Sequence, residues 1–347
     1  MLADHVDLAG LRHHGDVEAL PGLLDFAVNV QGSAPPRWLR ERLAAALDSL
    51  GRYPSAAEDR IAREAVAARH GVAADHVLTL AGGAEGFALL PRLNPRLAAV
   101  VHPSFTEPEL ALREAGVPVT RVVLEPPYTL DPALVPEEAD LVVVGNPTNP
   151  TSVLHPARTL RALQRPGRVV VVDEAFMDAV PGEPETLAAQ AGDGLLVLRS
   201  LTKTWALAGL RCGYLLGAPE LLGRLVRGRA HWPLGTLQLA AITATASARA
   251  VAETAEAALR LARDRAAMAE RLAAAGAEVG APAAAPFLLL EVRDGELVRT
   301  HLREQGIAVR RCDTFPGLGP DHLRVAVRPA AEVDRLVEAL RAAGVPD

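Results

Sequence analysis

Val169-Val170-Val171-Val172-Asp173-Glu174-Ala175-Phe176 is a run of four β-branched apolar residues that stops on two acids. A run with no polar face suits a strand covered on both sides, as in a parallel sheet. Four further stretches have the same character: His76-Val77-Leu78-Thr79-Leu80, Leu97-Ala98-Ala99-Val100-Val101, Leu141-Val142-Val143-Val144 and Leu195-Leu196-Val197-Leu198. Residues 56–70, ahead of the first of these, and 105–115 and 157–164, between them, suit helices. This alternation predicts an α/β fold whose large domain is a mostly parallel sheet with helices on both faces. After Cys212-Gly213-Tyr214-Leu215-Leu216-Gly217 the texture changes. Residues 219–275 are rich in Ala, Leu and Arg and read as long helices, followed by short strands at 286–292, 306–310 and 322–327. A closing helix at 330–343 would put Val333, Leu336, Val337 and Leu340 on one face. The expected organisation is a large domain over 31–228 and a smaller α+β domain made by 229–347 with 1–30, because the first 30 residues are too irregular to fold alone.

Composition agrees with two units. The chain has 347 residues, half of them hydrophobic, which is more than one compact domain usually holds. The net charge is −6 with a pI near 6.0, and no Lys/Arg stripe is interleaved with aromatics, so no nucleic acid is expected as a partner. The only cysteines, Cys212 and Cys312, cannot build a disulfide framework and suit a reducing compartment. Met1-Leu2-Ala3-Asp4-His5 lacks the charged and apolar regions of a signal peptide. No apolar run approaches the roughly 20 residues of a membrane span. A cytoplasmic protein with no membrane partner is expected.

Four strand ends carry candidate chemistry. In Ser200-Leu201-Thr202-Lys203-Thr204-Trp205-Ala206-Leu207-Ala208-Gly209-Leu210-Arg211, Lys203 stands in a chain with almost no lysine and follows a buried strand. A lone lysine is usually a solvated charge. A buried one has a lowered pKa, and its neutral amine can attack an aldehyde. Ser200 and Arg211 nearby suit a phosphate monoester. Asp173 ends its strand where α/β sheets bind ligands; thirty residues before Lys203, it can pair with a protonated pyridine nitrogen rather than merely cap a helix. Glu174, adjacent, should point elsewhere, and Phe176 suits core packing. Gly145-Asn146-Pro147-Thr148-Asn149-Pro150-Thr151 reads as a turn, or as a loop whose Asn donates to a phenolate. Gly82-Gly83-Ala84-Glu85-Gly86 exposes backbone N–H groups to a phosphate. The fingerprint GxGxxG and a Walker loop are both missing, and His13-His14 reads as polar surface rather than a metal site.

In this order the motifs resemble the fold type I pyridoxal-phosphate (PLP) enzymes of the class I/II aminotransferase family, over essentially the whole chain. The resemblance implies PLP as cofactor, linked covalently to Lys203, with Asp173 at the pyridine nitrogen and Asn149 at the ring O3′. Gly83, Ala84, Ser200 and Arg211 would hold the cofactor phosphate. Phe105, in Pro103-Ser104-Phe105, would stack on the ring. Tyr53, in Arg52-Tyr53-Pro54, matches a tyrosine that reaches the neighbouring subunit's cofactor, which implies a homodimer with shared active sites.

Within the family the chain looks most like the L-threonine-O-3-phosphate decarboxylases of cobalamin biosynthesis, with the histidinol-phosphate aminotransferases close behind. A phosphorylated amino acid is therefore the implied substrate. Arg324, in His322-Leu323-Arg324-Val325, matches the arginine that pairs with a substrate carboxylate, and a planar fork suits that group. Arg310 matches an arginine on the substrate phosphate. His14 and Asn29 fall to the substrate side, because His14-Gly15-Asp16 resembles the decarboxylases' His-Gly-Gly-Asn and Asp25-Phe26-Ala27-Val28-Asn29 their Asp-Phe-Ser-Ala-Asn. Arg311 and Arg328 read as a solvated strand face. The aminotransferases usually have Tyr where Phe176 stands, and Phe removes one donor to the cofactor's phenolate. Phe at that position is shared with the decarboxylases. Ser152 replaces a usual Gly, and Val30-Gln31-Gly32 departs from the expected Asn-Pro-Leu-Gly. The leading expectation is decarboxylation of phosphothreonine to aminopropanol phosphate; the alternative is transamination of histidinol phosphate or a related amino acid with 2-oxoglutarate.

Overall fold

The five expected strands of the large sheet all form. A computed structural model describes residues 8–280 and 282–344, and among these one sheet has seven strands. Their order is Val77–Leu80, Gly213–Leu216, Leu195–Ser200, Val169–Asp173, Leu141–Gly145, Ala98–His102, Val119–Val123. Gly213–Leu216 runs antiparallel to both its neighbours, and every other pairing is parallel. Two antiparallel steps restore the direction, so the ends of Leu80, His102, Gly145, Asp173 and Ser200 share one edge. Two strands lay outside the sequence reading. Val119–Val123 is an edge strand whose Thr120 and Arg121 break the apolar run, and Gly213–Leu216 lies inside the stretch read as a change of texture.

The helix Ala56–His70 shows how local chemistry sets the flanking layer. Ser55 Oγ accepts the Glu58 N–H at 3.2 Å and the Glu58 carboxylate accepts the Ser55 N–H at 2.6 Å, a reciprocal cap that satisfies two free donors. This helix buries Ala62 and Val66 in the same core as Leu239 and Ile242 of the helix Thr236–Thr245. The core of the large sheet thus runs on to Ala250, past residue 228, where the smaller unit was expected to begin. The long helix Ala248–Ala273 joins the two cores: Ala250 packs in the first, Met268 and Leu272 in the second. We propose that the division between the units falls within this helix.

The second core lies under a four-stranded antiparallel sheet in the order Arg310–Arg311, His322–Ala326, Phe287–Glu291, Glu278–Val279. The helix Ala330–Ala342 contributes the expected Val333, Leu336, Val337 and Leu340. The N-terminal segment packs here. Leu24–Asp25 pairs in parallel with Ile307–Ala308, and Phe26 is buried in this core. Arg328 is not the solvated strand residue expected; its guanidinium donates to the carbonyls of Asp25, Val28 and Val30 and so holds the chain leading to Asn29. Among the described residues no helix is long and apolar enough to cross a membrane.

Behind the strand ends lies a buried ionic network. Arg199, 2% exposed, donates to Glu174 at 2.9 Å, to Asp178 at 2.7 Å and to Glu183. Arg69 joins Asp178 at 2.8 Å. Glu174 therefore turns away from Asp173, as the sequence suggested. Removing one partner of such a network strands the others without solvent. Arg199→Met is expected to lower unfolding free energy by about 3–5 kcal/mol, read from urea denaturation; a loss below 1 kcal/mol would show the carboxylates to be solvated.

Candidate active site

A cavity of about 490 Å³ opens where the strand ends meet the second unit. Of the residues singled out in the sequence, His14, Asn29, Gly83, Ala84, Phe105 and Asn149 line it. So do Asp173, Ser200, Lys203, Arg211, Arg310 and Arg324.

Lys203 lies in the turn after Leu195–Ser200 and is the single lysine of the chain. Its carbonyl accepts the Gln31 N–H at 2.9 Å, which ties the N-terminal segment to it. Loss of solvent, aided by the charges of Arg324 and Arg211, brings its ammonium down to about 8, against a smaller opposing effect of Asp16. Asp173 is the last residue of its strand. Burial pushes its carboxyl up to about 7, and the neighbouring Glu174 adds to this. Its Oδ1 accepts the Ala175 N–H at 3.0 Å.

Ser200, Arg211 and the Gly82–Ala84 turn converge. Gly82 has φ +85, and a Cβ there would lie 3.0 Å from the Arg211 guanidinium, so a side chain would displace the arginine. A Cβ on Gly83 would come 3.9 Å from Ser200 Cβ. Ser200 Oγ is 2.8 Å from Thr202 Oγ1. Hydroxyl, guanidinium and small backbone turn together form a concave donor set suited to a phosphate.

Asn149 Oδ1 accepts from Arg324 at 2.6 Å. A guanidinium only donates, so the oxygen must face it and the NH₂ is left for the cavity. The loop before it is pinned by Asn146, whose amide exchanges hydrogen bonds with the backbone of His155 at 2.7 and 3.2 Å. Ser152, at φ +65, holds the left-handed conformation that favours Gly; its hydroxyl accepts the N–H of Ala284 and Ala285 at 3.1 and 2.8 Å, which compensates for the strain.

Arg324 is 5% and Arg310 2% exposed. Arg324 also donates to Ala27 O, and among the described residues its Nε has no partner. Burial and the nearby Arg310 bring it down to about 9. Arg310 donates to His13 O and Thr314 Oγ1, each at 2.7 Å, and lies over the Phe315 ring at 4.8 Å. Among the described residues neither arginine, nor Arg211, has a carboxylate within ion-pair distance. Two buried cations on the cavity with no carboxylate paired to them, beside the exposed Arg211, suit an anionic ligand.

Phe176 is buried edge-on against Phe287, with ring centroids 4.9 Å apart, and Arg324 lies over Phe287. Core packing is thus its visible role, although it also borders the cavity. Tyr53 is apart from the cavity: it is 74% exposed and stacks on Trp232, centroids 4.4 Å apart. Sequence reasoning missed Glu107 and Asp16, both of which line the cavity. Glu107 reads as an ordinary acid in a first helical turn, and Asp16 sits in an irregular segment; neither has a local signal beyond standing within two residues of Phe105 and His14.

The fold and this cavity define a class. The family model for aminotransferase class I and II matches residues 22–340, and the chain belongs to that family, with the fold type I architecture of its PLP enzymes. The chain is 57% identical over 326 residues to the histidinol-phosphate aminotransferase of Mycobacterium tuberculosis strain H37Rv, covering 94% of this chain and 89% of that protein. It is 32% identical over 336 residues to the threonine-phosphate decarboxylase of Salmonella typhimurium, covering 92% and 90%. The histidinol-phosphate aminotransferase of Sinorhizobium meliloti, solved with pyridoxal 5′-phosphate, is alike in fold: TM-score 0.80 at 22% identity, over 91% of this chain and 89% of that one. These identities reverse the order in which the two alternatives were ranked from sequence and favour the aminotransferase.

Proposed function

We propose that this chain is a PLP-dependent aminotransferase that takes the amino group of a phosphorylated amine, histidinol phosphate, and passes it to 2-oxoglutarate. The observation that carries the chemistry is the grouping of Lys203, Asp173 and three arginines without carboxylate partners on one cavity. The choice of amine is supported by the 57% identity to the mycobacterial protein.

The donor set fits PLP. Ser200, Arg211 and the backbone of Gly83 and Ala84 would take its phosphate, the Asn149 NH₂ its phenolic oxygen, Asp173 its pyridine nitrogen, and Phe105 one face of the ring. When bound, PLP supplies an aldehyde that links to amines and a pyridinium ring that accepts electrons released at the amine-bearing carbon. The Asp173 carboxylate would hold the proton on the ring nitrogen, and such a cationic partner favours its charged form. Lys203 Nζ anchors the cofactor. This Nζ, on the same cavity as the substrate arginines, would also take and return the proton at the substrate carbon bearing nitrogen. Arg324 and Arg310 orient the anionic end: the phosphate of histidinol phosphate, then the carboxylates of 2-oxoglutarate. His14 and Asn29 belong to the same substrate side.

A second reading, decarboxylation of L-threonine O-3-phosphate as in cobalamin biosynthesis, is favoured by Phe176 and by the 32% relative. Purified protein given histidinol phosphate and 2-oxoglutarate is expected to form glutamate. Release of CO₂ from phosphothreonine with no glutamate formed from histidinol phosphate would replace the first reading by the second.

The active unit proposed is a cytoplasmic homodimer in which Tyr53 reaches the neighbouring subunit's cofactor phosphate. Leu47, Leu50 and Trp232 are exposed along with Tyr53, which supports a covered face. Light scattering is expected to give twice 36.5 kDa. Tyr53→Phe should weaken PLP retention by about tenfold, as for loss of one hydrogen bond to a charged group; unchanged retention on dialysis would remove Tyr53 from the site.

A further inference from the structure

The cavity has acceptors as well as cations, and the proposed reaction does not use them all. Glu107 opens the helix Glu107–Glu114 just after Phe105. Its Oε1 meets His14 Nε2 at 2.6 Å, and its second oxygen has no hydrogen-bond partner among the described residues. Asp16 lines the same cavity, with no ion pair among the described residues, and its charge acts on Lys203. Asn29 is 3% exposed and also lines the cavity, yet among the described residues its side-chain oxygen has no hydrogen-bond partner. A buried acceptor without a donor is costly, and in a ligand site it marks where a donor is to come.

The backbone fixes these groups relative to one another. His13 O accepts from Arg310 at 2.7 Å, while the next side chain, His14, turns to Glu107 and lies 5.4 Å from the Phe105 ring. Gly15 follows; a Cβ there would come within 2.5 Å of Ala27 O. Only a glycine lets residues 13–16 lie directly on the segment that carries Asn29.

We infer that Glu107, Asp16 and Asn29 select the substrate's side chain, and that the group they take is a nitrogen donor such as an imidazole. The inference rests on the reading of the chain as a PLP enzyme for phosphorylated amines. An anion placed against Arg324 and Arg310 satisfies the cations, and a ring N–H at the other end satisfies the acceptors. Phosphothreonine offers no ring N–H there, and with its phosphate taken by the arginines its carboxylate is brought toward Asp16 and Glu107 and repelled; 2-oxoglutarate, which has no phosphate, keeps the arginines for its carboxylates.

Holoenzyme and its Glu107→Gln and Asp16→Asn variants are titrated by cofactor absorbance with histidinol phosphate, with ring-less 2-aminopropyl phosphate and with phosphothreonine. Glu107→Gln is expected to weaken histidinol phosphate about tenfold, as for a charge-assisted hydrogen bond. The ring-less amine should change less than twofold, and phosphothreonine should bind more tightly. Asp16→Asn, at an exposed position, should show the same pattern if Glu107→Gln fails to fold. Equal weakening of both phosphorylated amines would mean that Glu107 only tethers the N-terminal segment, and would overturn the inference while leaving the proposed function intact. Unchanged constants for every ligand would do the same. Wild-type protein that responds to phosphothreonine and not to histidinol phosphate would overturn both.

Discussion

Lys203→Ala is expected to lower turnover by about four orders of magnitude, the upper range for loss of a positioned proton-transfer group, and to end covalent retention of PLP altogether. The second effect is unusually clean here. The chain contains no other lysine, so borohydride reduction of the wild-type holoenzyme should fix cofactor to one peptide, that of Lys203, and reduction of the variant should fix none. A variant that still carries reducible cofactor would refute the assignment. The surroundings of Lys203 add a pH signature. Its ammonium is brought from an ordinary 10.5 down to about 8 by loss of solvent and by Arg324 and Arg211. The reactive form is the neutral amine, which prevails above that value. Uptake of PLP by the cofactor-free protein should therefore rise with pH through a midpoint near 8, followed by absorbance. A midpoint near 10.5 would mean a solvated lysine.

Asp173→Asn should leave PLP bound while slowing turnover about 10²–10³-fold, the usual cost of removing one electrostatic partner of developing charge. The reason is separation of duties. The phosphate cradle of Ser200, Arg211 and the Gly82–Ala84 turn is untouched by the change, whereas an amide cannot hold a proton on a ring nitrogen by charge. The carboxyl alone, pushed up to about 7 by burial, is neutral below that pH; a cationic ring nitrogen beside it draws it back to the charged form. Dialysis and the cofactor spectrum read the first half of this expectation, and single-turnover rates read the second. Loss of cofactor in the variant would move Asp173 from the chemistry to the binding of PLP.

Much of this site was legible because its elements are local. The runs at 76–80, 97–101, 141–144, 169–172 and 195–198 are short and largely apolar on both faces, which suits buried strands. Parallel strands put their ends on one edge, and the residues that follow each end were the candidates for chemistry. What escaped the reading was non-local. Val119–Val123 carries polar residues because it is an edge strand. Residues 234–250 were grouped with the smaller unit because a helix does not declare which sheet it will cover; Leu239 and Ile242 pack on the larger one. Arg328 looked like a surface cation, and its role appeared only when the carbonyls of Asp25, Val28 and Val30 were seen to converge on it.

The sequence by itself determined the fold class, the family and the lysine: continuous apolar strands, a fixed order of short motifs, and one lysine in 347 residues are properties of composition and spacing. The tertiary structure alone decided how the charges are shared out. It left Arg310 and Arg324 without a carboxylate partner among the described residues, turned Asn149 Oδ1 toward Arg324, and set His14 against Glu107. Charge pairing depends on distances between residues far apart in the chain, 175 and 93 positions in these two cases, which a linear pattern does not encode and packing of the two units does.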